Sequence, residues 1–245
     1  MLARDRHRGA RYRKRIAVRD TTYPPLGIAR AIRSLARAVL CLAWRADLPD
    51  TASVDTSNES DEVQLARLQA KLAPERIRAT LAFAGLYQMT HEMIKHAVVD
   101  EVVGFYGKSL MDETWWYGED EYKAAVLTLA PMNVFKASLL WLVNSEAITS
   151  GQAERLDAIY AHRHELTHEL VKYIVDLGHE PDVDLFIDAL AILSDIRRFW
   201  TGIEMDVGTF DEYGDIGLDE VTPASIAILG LCIDAYAAAL EEPPG

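Results

Sequence analysis

From about residue 74 onward, apolar residues recur at three- and four-residue steps, the spacing of helices that bury one face. Pro74 suits a first helical position, and a long helix is predicted from there to about Tyr106. Phe83, Tyr87, Ile94, Val98, Val102 and Phe105 form its expected buried stripe, and Gly107 its stop. A loop holding Trp115, Trp116 and Tyr117 among acidic residues comes next, then a helix around Asp120–Leu129. Pro131 is read as opening another, with Val134, Leu139, Leu140 and Leu142 as apolar members. Thr149 or Ser150 then caps a helix over about 151–176, with Glu154 in its first turn, ended by Gly178 and Pro181. A further helix over about 182–205 presents Leu185, Phe186, Leu190, Leu193, Ile196 and Phe199. Thr222-Pro223 opens the last, which runs to about Leu240. Alternating β-branched runs are scarce and no long period repeats, so the predicted class is all-α, an up-and-down helical bundle.

The first 60 residues read differently. Asp47–Asp61 is rich in Ser, Thr and Asp and poor in large apolar side chains, which is linker chemistry. The expected organisation is therefore a 1–60 arm and a 61–245 helical domain. Residues 1–45 hold 12 Lys/Arg against Asp5 and Asp20, a balance of +10. The other 200 residues hold 13 Lys/Arg against 36 Asp/Glu, a balance of −23. The arm is expected to be largely disordered and basic, with a short amphipathic helix at Ile28–Trp44, or else an over-extended start. Arg30, Arg33 and Arg37 interrupt that helix, and no membrane association is expected from any run of apolar residues. Cys41 and Cys232 form neither a disulfide framework nor a zinc knuckle, which fits a reducing, cytoplasmic setting. So acidic a body repels polyanions, and any nucleic-acid chemistry must come from a local basic cleft or an assembled oligomer.

One short run concentrates candidate chemistry: Arg163-His164-Glu165-Leu166-Thr167-His168, in the middle of the 151–176 helix. Tyr160, His164 and His168 fall at i, i+4 and i+8 on one stripe, with Arg163 and Thr167 beside it. A solvated polar face is the plainest account, yet three of the protein's seven histidines (His162, His164, His168) sit within two turns. A second account is zinc. His164-Glu165-Leu166-Thr167-His168 is a literal H-E-x-x-H, which puts two imidazoles on one helix face with Glu165 as general base. Asp188 is then the candidate third ligand, although the resembled zincins carry Glu there, and no strand pattern precedes the motif to hold a peptide.

A third account starts at Arg163. The run GQAERLDAIYAHRHELTHEL contains R-x-x-x-x-H, and it resembles the HEPN superfamily, whose members typically read like R-N-E-x-A-H at this place. The earlier stretch GLYQMTHEMIKHAVVDEVVGFYG resembles the first helix of bacterial HEPN proteins, and the resemblance extends through Asp182–Met205, roughly residues 75–205. Where the family often has Asn or Asp after the arginine, this chain has His164. The resemblance implies a HEPN-like bundle acting as a metal-independent endoribonuclease, with no cofactor and a composite site at a two-fold homodimer interface. It implies a toxin or phage-defence effector, with RNA as substrate and a cognate antitoxin or regulator as partner. A non-catalytic HEPN-like binding module is the alternative from another class.

Residue chemistry suits the catalytic version. Histidine, the residue type at position 168, is suited to moving the 2′-OH proton as general base or acid, and Arg163 offers a permanent planar cation to phosphate oxygens. His164 orients the phosphate or serves as a second acid. Tyr160, Thr167 and Lys95 are the expected substrate contacts, Lys95 from the earlier helix, where His91 and Glu92 are also polar positions amid an apolar pattern. Glu92 with Lys95 or His96 reads more readily as an ordinary surface pair. Five residues place Arg163 and His168 about 140° apart round a helix, so a two-fold pairing is needed to bring both to one groove. Trp115, Trp116 and Tyr117, flanked by five acids, are expected to pack rather than to stack bases.

Overall fold

Helical periodicity governs nearly everything in the computed structural model, which describes residues 61–107, 109–111, 114–116 and 118–241. The basic arm, the amphipathic stretch and the linker expected before residue 61 lie outside the described residues, as does Tyr117. Helix α1 (Asp61–Lys71) was not anticipated, since its sequence DEVQLARLQAK carries too few apolar side chains for a clear stripe. The long helix begins at Pro74 as expected. It comprises α2 (Pro74–Lys95), a π-helical segment (His96–Asp100) and a short α3 (Glu101–Phe105). Gly107 follows its end, where the Gly107 N–H donates to the Gly104 carbonyl at 2.8 Å.

The π segment answers a packing need. Trp200 donates its indole N–H to the Ala97 carbonyl at 2.9 Å, while Ala97, Val98 and Val102 remain fully buried. A π bulge of this kind redirects one carbonyl without breaking the helix. The expected loop at Trp115 is instead a small antiparallel hairpin, β1 (Ser109–Met111) with β2 (Thr114–Trp116), Leu110 opposite Trp115. Thr and Trp favour that extended backbone, and the Gly118 N–H bonds the Tyr106 carbonyl at 3.0 Å below it.

Helix α4 (Glu119–Ala125) and a 3-10 turn (Leu127–Leu129) match the next expected helix. Helix α5 (Val134–Asn144) starts three residues later than Pro131 because the Asn133 side chain caps it, accepting from the Lys136 N–H. The motif helix is α6 (Ser150–His168) followed, across Glu169, by α7 (Leu170–Val175). Helix α8 (Val183–Asp206) is capped by Asp182, and α9 (Ala224–Glu241) starts directly after Pro223. The core forms where α2, α8 and α9 meet. Phe83 lies 5.2 Å from Phe186 and 6.5 Å from Tyr236 by ring centroid, and Tyr87 lies 5.7 Å from Phe186. Phe83 and Phe186 are wholly buried, and each such side chain contributes roughly 1.5–3 kcal/mol. A second aromatic cluster, with Trp141 stacked on Trp200 at 6.0 Å, fills the end near α3 and α5.

One stretch departs from the expected absence of membrane-length apolar segments. Leu218–Leu240, mostly α9, is by length and composition long and apolar enough to cross a membrane, and only 17% of its most apolar part is buried.

Helix α1 is tied to the rest by Lys71, a buried cation whose ammonium donates to the carbonyls of Asp176 and His179 (2.5 and 2.6 Å) and to Glu180 Oε1 (3.1 Å). Removing it takes the charged donor from both carbonyls, and leaves the Asp176 carbonyl only the His179 N–H at 3.2 Å. Lys71→Met is expected to cost about 2 kcal/mol and to lower Tm by about 4–8 °C in a thermal melt. An unchanged melt would mean that α1 is not held by this contact.

Candidate functional site

The motif helix is fixed at its start and along its flank before it reaches the candidate residues. Thr149 and Gln152 form a capping box: Thr149 Oγ1 accepts from the Gln152 N–H at 3.2 Å, and Gln152 Oε1 accepts from the Thr149 N–H at 2.8 Å. The Gln152 amide then donates to Asp195 on α8 at 2.6 Å. Leu156, Ile159 and Leu166 turn into the core, so the next positions round the helix face α2.

There Arg163 meets two residues of α2 spaced one turn apart. Its Nε donates to Gln88 Oε1 at 2.6 Å and its Nη2 to Glu92 Oε1 at 3.3 Å. The Gln88 amide donates to the same Glu92 oxygen at 3.1 Å. Thr167 donates to the Arg163 carbonyl at 2.9 Å and stands 3.4 Å from Gln88 Oε1. Two i,i+4 pairs, Gln88/Glu92 and Arg163/Thr167, thus interlock across the helix interface. The Arg163 side chain keeps 19% of its exposure, and its other terminal nitrogen has no protein partner among the described residues. Glu92 is therefore bound to Arg163 and Gln88, not to Lys95 or His96.

His91 lies beneath this cluster with its ring 5.4 Å from that of the exposed Tyr160. Its Nδ1 stands 3.5 Å from Glu92 Oε1 without forming a hydrogen bond. Burial, reinforced by the nearby Arg163 charge and opposed by Glu92, holds the His91 pKa below its ordinary value. Lys95, one turn further along α2, is exposed.

The three motif histidines separate into two kinds. His164 and His168 are exposed, and their rings lie 4.3 Å apart at a 51° tilt. His162 is buried between the rings of Tyr87 (5.3 Å) and Tyr173 (5.8 Å), and its Nε2 accepts the Asp182 N–H at 3.0 Å. It is a structural acceptor at the start of α8. The helix breaks immediately past His168, at Glu169 (φ −123°, ψ 25°). Glutamate is a good helix former, so local propensity does not explain the break. The redirected α7 lets Tyr173 pack between His162 and His179.

Of the expected residues, Arg163 and Thr167 meet α2, Tyr160 covers His91, and His164 with His168 face outward on the same helix. Gln88 was not singled out from the sequence, although its i,i+4 relation to Glu92, matching that of Arg163 to Thr167, is a legible signal. Asp188, the candidate third ligand for zinc, is instead bound to Arg155 Nε at 2.6 Å. No group of three or more His, Cys, Asp or Glu side chains is arranged to hold a metal ion among the described residues. No protein-family model, curated protein or solved structure matches the chain.

Protonation of His162 would replace its acceptor lone pair with a donor facing the Asp182 N–H. Burial lowers its pKa first, while Asp182 and Glu165 oppose the shift. In acid the unfolded chain takes up this proton more readily than the folded one. The stabilisation is therefore complete above about 6.5 and is lost as pH falls below that toward the lowered native value. His162→Gln retains an acceptor without a titrating proton, and His91 contributes equally to both proteins. The drop in Tm from pH 7.5 to 5.5 is expected to be smaller in His162→Gln than in the parent. Equal drops would show that His162 is not the group responsible.

Proposed function

We propose that this chain is a HEPN-type, metal-independent endoribonuclease that acts as a homodimer, with His168 as general base or acid and Arg163 as phosphate clamp. The observation that carries the reading is an exposed pair of imidazoles, His164 and His168, on the same helix as an arginine anchored by a neighbouring helix. Two imidazoles side by side offer one proton-accepting and one proton-donating group. That is the pair of roles that 2′-OH attack and 5′-oxygen departure require. Gln88 and Glu92 occupy the Nε edge of Arg163 and leave a terminal nitrogen for a phosphate oxygen. Tyr160 and Thr167 lie on the same helix as the imidazoles, and Lys95, exposed on α2, is the further substrate contact of this reading. The R-x-x-x-x-H motif and its helical context resemble the HEPN superfamily, which adds the dimer, the RNA substrate and a cytoplasmic role with a toxin or phage-defence partner.

A dimer also answers the charge problem. Glu92 offsets Arg163 within one chain, and the domain as a whole is acidic. Doubling Arg163 and its neighbouring imidazoles about a two-fold axis concentrates phosphate-binding groups in one groove where a single copy has little net attraction for RNA.

The Arg163 clamp itself favours one other reading. An arginine satisfied by Gln88 and Glu92 is what a non-catalytic helical module would use to join α2 to α6.

The two readings part at His168, which is exposed and touches little besides His164. In an RNA cleavage assay with EDTA, His168→Ala is expected to lose about 10²–10⁴-fold in rate with an unchanged melt. Arg163→Lys, which keeps the charge but loses the fork, is expected to lose about 10²-fold. The active species should elute as a dimer. Cleavage by His168→Ala at the parent rate, or no cleavage by the parent, would leave the non-catalytic module.

A further inference from the structure

Helix α9 buries only one of its sides. Leu229, Ile233 and Tyr236 face the core, whereas Ile228 and Leu231 remain 51% and 70% exposed. Ala224, Ala227, Ala235 and Ala238 are exposed around them, on the same stripe of the helix. Among residues 224–240 the one charged side chain is Asp234. A continuous apolar helix face of this kind marks a surface that is covered in the working protein.

Three features of the chain select what covers it. Residues 199–245 contain ten Asp/Glu and no Lys, Arg or His, while residues 1–45 contain 12 Lys/Arg and two Asp. The two ends of the sequence are thus opposite in charge and nearly equal in magnitude. Within the basic end, Ile28, Ile32, Leu35, Val39 and Leu42 recur at three- and four-residue steps, and Arg30, Arg33 and Arg37 fall on the other side of the same helical wheel. Residues 45–60 join this stretch to Asp61, where α1 begins. Sixteen residues reach up to about 50 Å when extended, nearly twice the roughly 27 Å length of an 18-residue helix such as α9.

We propose that residues 28–44, which lie outside the described residues, dock against the exposed apolar face of α9 in the same chain. The apolar stripe meets Ile228 and Leu231, and the basic end as a whole is drawn by long-range attraction to the acidic run Glu204–Glu220 that leads into the helix. A second copy is disfavoured as occupant, because pairing α9 with α9 would bring together two acidic ends that carry no cation. An anionic membrane surface is repelled by the same charges.

The chain's two cysteines, Cys41 and Cys232, report the contact directly. Cys41 lies in the docking stretch, and Cys232 is half-buried beside Leu231. Full-length protein treated with a flexible bis-maleimide should give a monomeric Cys41–Cys232 bridged product, identified by peptide mass. Leu231→Glu, and separately Leu35→Glu, should slow bridging about tenfold by removing the docked state and leaving only tethered encounter. Leu231 is mostly exposed, so the circular dichroism of Leu231→Glu should match that of the parent. Bridging insensitive to both substitutions would overturn the proposal. So would a Cys232–Cys232 linked dimer, or flotation of the parent with phosphatidylcholine vesicles that Leu231→Glu abolishes.

Discussion

Helices α2 and α6 meet along two parallel lines, one dry and one polar, and the candidate chemistry depends on both. On the dry line Tyr87 reaches across to donate to the Ile159 carbonyl at 3.3 Å, while its ring packs on His162 and Phe186. On the polar line Gln88 and Glu92 receive Arg163 and Thr167. Partly exposed ion pairs contribute about 1 kcal/mol or less, so the dry line supplies most of the stability. The polar line supplies register. Slipping α6 by one residue would leave the guanidinium of Arg163, only 19% exposed, against apolar neighbours without its acceptors, a far costlier arrangement.

With that register set, the outward residues of α6 are determined. Arg163 is turned inward to α2, so the stripe to one side of it in the helical wheel, Tyr160, His164 and His168, stands toward solvent. The break at Glu169 ends the helix one residue after His168 and keeps the exposed imidazole pair at a helix terminus. His162, only two residues before His164, is committed instead to the α8 cap through Asp182. One short run of sequence therefore carries a structural histidine, an interhelical arginine and two free imidazoles, and its spacing alone separates them.

Much of this was legible in the sequence. Periodicity identified the apolar stripe of α2, and Phe83, Tyr87, Ile94, Val98 and Val102 are all buried. Thr149 as a cap followed from cap chemistry, and the start of α8 near residue 182 followed from its apolar spacing and the stop at Pro181. What escaped was decided by tertiary contact. The π segment at His96–Asp100 has no breaker residue and exists where Trp200 reaches the Ala97 carbonyl. Glu169 interrupts a helix that its own propensity would continue. Helix α1 lacks an apolar stripe because its anchor is a lysine, Lys71, reaching backbone carbonyls of the α7–α8 turn. At the site, the grouping of Tyr160, Arg163, His164, Thr167 and His168 was readable, and so was the polar character of His91 and Glu92. The partner of Arg163 was not, since a surface pair of Glu92 with Lys95 satisfies local spacing equally well.

On the proposed reading, α2 holds Arg163 so that, across a two-fold axis, it and the outward imidazoles form a phosphodiester site. The most direct measurement is a titration of histidine-labelled full-length protein with a 2′-deoxy dinucleotide, which binds without being cleaved, followed by imidazole NMR signals. The account predicts that His164 and His168 shift together and saturably, that His162 does not move, and that Arg163→Lys weakens the effect. Signals of His164 and His168 that stay in place at millimolar ligand would contradict it.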